Sequence, residues 1–169
     1  MASLLRPVLA SLALLGSASV FAQVTASNAW TRATVPQQQA SGVFMDLRSA
    51  RDNAKLVGVR SEAAASTEIH EMRMEDNVMK MRAVPSIDLP KEQTVSLKPG
   101  SYHIMLMGLK KPLNAGDQVE LTLDVVHQDG SKESIAVTAP ARALGASSAA
   151  NHNHGKAEAP AAAHDQHKH

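Results

Sequence analysis

The chain of 169 residues contains no cysteine. That rules out a disulfide framework and leaves the fold to rest on an ordinary apolar core. It also rules out any site built on thiolate, a blue-copper centre included, and leaves no residue to carry a lipobox anchor. Aromatic residues are scarce, with one Trp, one Tyr and two Phe. Excess charge is missing too: Lys and Arg number 17 against 16 Asp and Glu, so nothing favours nucleic acid or anionic lipid as a partner. Serine-hydrolase and dinucleotide-binding motifs are absent.

Long apolar runs are missing apart from Val8 to Val20 near the start. Arg6 precedes that run and Val20-Phe21-Ala22 ends it, a small-x-small cleavage pattern. The run is too short to serve well as a membrane span. Residues 1–22 therefore read as a signal peptide, with a mature start at Gln23 and no membrane insertion after cleavage. The expected location is the periplasm of a Gram-negative host. Removing the leader takes away one arginine and leaves basic and acidic residues equal in number.

Residues 23–141 form one segment of domain size. Val24–Thr31, Ser41–Arg48 and Lys55–Ser61 read as strands, with Val43, Met45 and Leu47 on one face of the second and Leu56 facing opposite to Val57 and Val59 in the third. Thr67–Met74 and Val78–Val84 flank Asp76-Asn77, residue types that tolerate the conformation of a two-residue hairpin loop. Thr94–Leu97, Tyr102–Leu106 and a hairpin around Asp129-Gly130 complete seven to nine strands with no helix. The expected class is all-β, an antiparallel sandwich or barrel. Residues 142–169 change to Ala, His, Asn, Ser, Gly and Pro without apolar period, and read as a disordered tail.

The methionines and histidines are unevenly spread. Six of the eight methionines lie between Ile69 and Met107, together with His70 and His103. Pairing across Asp76-Asn77 sets residue 72 opposite 81 and residue 70 opposite 83. His70, Met72 and Met74 then share a face with Met79 and Met81, and Met81 lies diagonal to His70. This register matters, since a slip of one residue would turn Met81 to the other face. His103, Met105 and Met107 share a face by strand alternation. Thioether and imidazole without thiolate suit Cu(I) better than any harder ion.

Three readings of the methionines stand at this point: core filler, an adaptable docking patch, or soft-metal ligands. Met45 reads as core. His127, beside the Asp129-Gly130 turn, reads as an ordinary surface histidine, and Lys110-Lys111 as solvated charge. In the tail, His152, His154, His164, His167 and His169 are spaced as loose ligands for Cu(II), Zn or Ni. Such binding weakens as pH falls through about 6.5, because a protonated imidazole cannot ligate.

The spacing His70-x10-Met81-x21-His103-x-Met105 matches without a gap the signature of the PCu(A)C family of periplasmic copper chaperones. HEMRMEDNVMKMR and YHIMLMGLKKPL also resemble that family, and the likeness covers about Val24–Pro140. The resemblance implies a cupredoxin-like Greek-key sandwich or barrel. It implies Cu(I) held by His70, Met81, His103 and Met105, and a tail that adds a Cu(II) site; Met72, nearest to Met81 in the hairpin register, is the candidate auxiliary ligand. The resemblance further implies a carrier that is not an enzyme and that supplies the binuclear copper site of cytochrome c oxidase, with the oxidase copper subunit or a Sco-type thiol protein as acceptor. A histidine-brace oxygenase would need a mature N-terminal His, where Gln23 stands. The alternative is a periplasmic copper buffer or resistance protein with no dedicated acceptor.

Overall fold

A computed structural model describes residues 23–143. The expected signal peptide and the histidine tail lie outside the described residues. Within them the chain forms ten strands and no helix: β1 (Val24–Arg32), β2 (Ala40–Ser49), β3 (Ala54–Arg60), β4 (Ala64–Glu75), β5 (Val78–Ala83), β6 (Ile87–Leu89), β7 (Thr94–Leu97), β8 (His103–Leu109), β9 (Gln118–His127) and β10 (Lys132–Arg142). The strands pair in the order β5-β4-β8-β2-β1-β10-β9-β3-β6, with β7 added on β2. The path does not close, so the architecture is an open sheet folded over on itself and not a barrel. All pairings between strands are antiparallel except β1 with β10, which is parallel at Thr31–Ala141 and Arg32–Arg142.

The inward faces share one apolar core. Val43, Met45 and Leu47 of β2 enter it as their alternation demands, with Ile104 and Leu106 of β8 and Leu121, Leu123 and Val125 of β9. Met45 is filler, as its sequence context suggested. Val59 departs from expectation, because it is buried on the same side as Leu56. A bulge between Leu56 and Gly58 inserts one residue into β3 against β9 and reverses the facing of Gly58, Val59 and Arg60. β6 was also not anticipated; it is only three residues long and comes soon after Pro85.

The β4–β5 hairpin has the register expected from its loop. Asp76 and Asn77 take φ of 51° and 61°, the left-handed values a two-residue turn requires. Glu75 meets Val78, Met74 meets Met79, Met72 meets Met81 and His70 meets Ala83.

Candidate metal centre

The face of the sheet turned away from the core carries the predicted residues. Ile69 and Ile104 point inward and are buried, so alternation turns His70 and His103 outward. β4 and β8 are adjacent strands in which His70 and His103 are direct Cα partners. Their rings lie 5.7 Å apart at 64°. Met105 has Glu68 of β4 on one side and Gly42 of β2 on the other. Met72 and Met81, a cross-strand pair, join His103 and Met105 around a shallow cavity of about 260 Å³. Two strands distant in sequence from the hairpin loop thus complete one patch with it.

The floor of that patch is aromatic. A bulge in β1 between Ser27 and Trp30, with Asn28 at φ 54°, re-aims Trp30. Trp30 lies against Phe44, ring centroids 4.5 Å apart, and Phe44 lies 6.2 Å from the His103 ring. Gly42 leaves room for Phe44: a Cβ there would stand 2.9 Å from Phe44 Cζ, and the ring would have to shift. Arg32 lies 6.0 Å from the Phe44 centroid and reaches the cavity.

Hydrogen bonds fix which imidazole nitrogen keeps its lone pair. His103 Nδ1 is 3.0 Å from the Ser101 carbonyl, which can only accept, so Nδ1 carries the proton and Nε2 is the free donor atom of the neutral ring. The same carbonyl accepts from Met72 N–H at 3.1 Å. The turn Lys98–Ser101, with Gly100 at φ 83°, aims it at both groups. His70 Nε2 is 2.7 Å from Glu68 Oε2, so in the neutral ring Nε2 carries the proton and Nδ1 keeps the lone pair. His70 Nδ1 is buried and has no hydrogen-bond partner among the described residues. An orphaned buried nitrogen is costly, and a soft cation would satisfy it. The donor set therefore fits a monovalent soft ion: two neutral imidazoles, each held by a hydrogen bond to its other nitrogen, and thioethers beside them. Among the described residues no group of three or more His, Asp and Glu is arranged to hold a metal, so oxygen-rich coordination of a hard cation has no counterpart here.

The far side of the hairpin is charged. Glu71 pairs with Arg73 at 2.8 Å and Arg82 at 3.3 Å, and Glu75 with Lys80 at 3.2 Å. The Arg73 guanidinium in particular holds the Glu71 carboxyl below its ordinary range.

His127 is corrected by the structure. It is buried, not a surface residue. Nδ1 lies 2.9 Å from Asp52 and Nε2 2.9 Å from Glu133. Burial pulls its pKa down, but the two carboxylates outweigh burial and hold it above the ordinary histidine value. Its partners are 75 and 6 residues away in sequence, so only the Asp and Glu content hinted at them. A larger cleft of about 600 Å³ borders this histidine. With both ring nitrogens engaged, His127 offers that cleft no ligand. Lys110 is solvated as expected, with only a loose pair to Glu62 at 3.4 Å.

The open β-fold is shared with PCuAC domains. The "Copper-bound PCuAC domain from PmoF2" superposes with a TM-score of 0.59 at 21% identity, over 73% of this chain and 95% of that one. The chain belongs to the LpqE-like family, a family of PCu(A)C type, whose model matches residues 24–141. "Putative lipoprotein Lxx21020" of Leifsonia xyli subsp. xyli (strain CTCB07) is 37% identical over 116 residues, which span 68% of either protein. The solution structure of CuI-DR1885 from Deinococcus radiodurans is similar at 29% identity and a TM-score of 0.52, over 69% of this chain and 78% of that one.

Proposed function

We propose that this protein is an exported copper carrier that binds Cu(I) through His70, Met81, His103 and Met105, with Met72 as an auxiliary ligand, and passes it on without turnover. The single observation that carries the reading is the buried, unpartnered Nδ1 of His70, in a ring whose centroid lies 5.7 Å from that of His103. Kinship with CuI-DR1885 supports Cu(I) as the cargo.

Transfer is ligand exchange. Neutral donors leave the site with the charge of the ion alone, so the ion is held firmly but stays exchangeable. A docking acceptor that offers thiolate, a softer and anionic donor, displaces thioether and imidazole one at a time. Met81, 52% exposed, is the ligand an acceptor reaches most easily. Arg32 at the cavity rim favours an anionic incoming group. Acceptors of this chemistry include a Sco-type thiol protein and the copper subunit of cytochrome c oxidase, reached in the periplasm after removal of residues 1–22. Residues 142–169, with His152, His154, His164, His167 and His169, add a Cu(II) store. That tail also favours the second reading, a copper buffer without a dedicated acceptor.

His103→Ala and Met105→Ala test the assignment. Each is expected to weaken Cu(I) binding about hundredfold, equivalent to roughly 3 kcal/mol, in competition with a chromophoric chelator, while the domain stays folded by circular dichroism. Unchanged affinity in both variants would remove these residues from the site.

A further inference from the structure

Met74 and Met79 belong to no function assigned so far. They are Cα partners in the β4–β5 hairpin, next to its loop. Met74 is 59% exposed and Met79 43% exposed. Neither contributes to the core, and every residue of β5 is exposed. The faces of this hairpin are sharply divided. One bears the ion pairs of Glu71, Arg73, Glu75, Lys80 and Arg82. The other bears Met72, Met74, Met79 and Met81.

Exposed thioethers gain little from burial, so what distinguishes them from Thr or Lys at such positions is a soft, neutral sulfur on a flexible stem. Directly opposed residues have Cβ atoms about 5 Å apart, close enough for two thioethers to share one ion. The next pair on the same face, Met72 and Met81, is two residues along each strand, about 6.6 Å away. That second pair borders the cavity shared with His103 and Met105. The methionines thus form two rungs running from the loop to the imidazoles.

We propose that Met74 and Met79 form a second, weaker Cu(I) site that loads the first. This rests on the reading of the His/Met patch as a Cu(I) site. Two thioethers alone hold the ion loosely. Moving inward, Cu(I) exchanges the Met74 and Met79 sulfurs for those of Met72 and Met81, then gains the imidazole nitrogens of His70 and His103 and the sulfur of Met105. The oxidation state is unchanged. In the neutral tautomers that the hydrogen bonds to Glu68 and Ser101 select, one nitrogen of each ring is free to receive the ion.

The test uses the full mature chain with 13C-methyl-labelled methionine, titrated with Ag(I) as an air-stable soft monovalent probe, alongside Met74→Leu/Met79→Leu. Leucine keeps the apolar bulk and removes the sulfurs. The first equivalent is expected to move the methyl signals of Met81 and Met105, and a later, weaker step those of Met74 and Met79. In the double variant the weaker step disappears, final Cu(I) affinity is unchanged, and loading from a Cu(I)–thiosulfate donor slows. Movement of Met81 and Met105 with Met74 and Met79 unmoved at excess Ag(I), or equal loading rates in the two proteins, would overturn the second site and leave the first standing. If Met81 and Met105 also stay unmoved, the first site fails and the second with it.

Discussion

Two histidine environments stand at separate places in this fold, and they differ in what the ring nitrogens meet. At the β9–β10 corner, His127 is buried with a carboxylate on each nitrogen. Glu133 there also accepts from the backbone N–H groups of Gln23 and Val24 at 2.9 and 3.2 Å. His127 and Glu133 together form a structural tie that holds the start of β1 to the last hairpin. On the outer face of β4 and β8, each ring uses one nitrogen in a hydrogen bond and keeps the other free. Burial alone does not tell these roles apart, since His103 is as buried as His127. The number of satisfied nitrogens does.

The sharpest way to separate the two is to remove the tie. His127→Leu takes from the Asp52 carboxylate its imidazole partner and leaves Glu133 only the Gln23 and Val24 N–H groups, and is expected to cost about 3 kcal/mol in urea unfolding, with Cu(I) affinity unchanged. A loss of Cu(I) affinity with intact stability would break the contrast. On the other side of the comparison, Glu68→Gln removes the carboxylate that holds His70. It is expected to weaken Cu(I) binding about tenfold with little change in unfolding.

The smallest effect is one of pH. His127 has a folded pKa above its ordinary value, so the native state binds the proton more tightly than the unfolded chain does. Its contribution is fully present below about pH 6.5, and is lost as pH rises through the folded value. Unfolding midpoints are therefore expected to fall from pH 6 to pH 9 in the wild type, and to fall less in His127→Leu.

The legible parts of the fold were local. The residue types at Asp76-Asn77 dictated a two-residue turn, and the turn dictated the register that set Met72 against Met81. Alternation placed Met45 inside, and His103 with Met105 on one face. What escaped was the effect of single inserted residues and of distant partners. The bulge at β3 turned Val59 inward, and nothing in KLVGVR marks it except Gly58. The parallel closure of β1 on β10 joins residues more than a hundred positions apart. His127 reads as a surface residue in the sequence because Asp52, which helps to define its environment, is 75 residues away. At the candidate metal centre the spacing singles out residues that the fold brings onto one face. The tautomers were not legible, because they depend on where the Ser101 carbonyl and the Glu68 carboxylate point.

The most direct test of the central claim is X-ray absorption on the Cu(I) complex of residues 23–143, formed anaerobically in competition with a chromophoric chelator. One tightly bound equivalent is expected, with both sulfur and nitrogen in the first coordination sphere and nitrogen scattering that shows the imidazole pattern. Competitive binding that fails, or a sphere of nitrogen and oxygen without sulfur, would contradict the claim and return the methionine face to packing or docking.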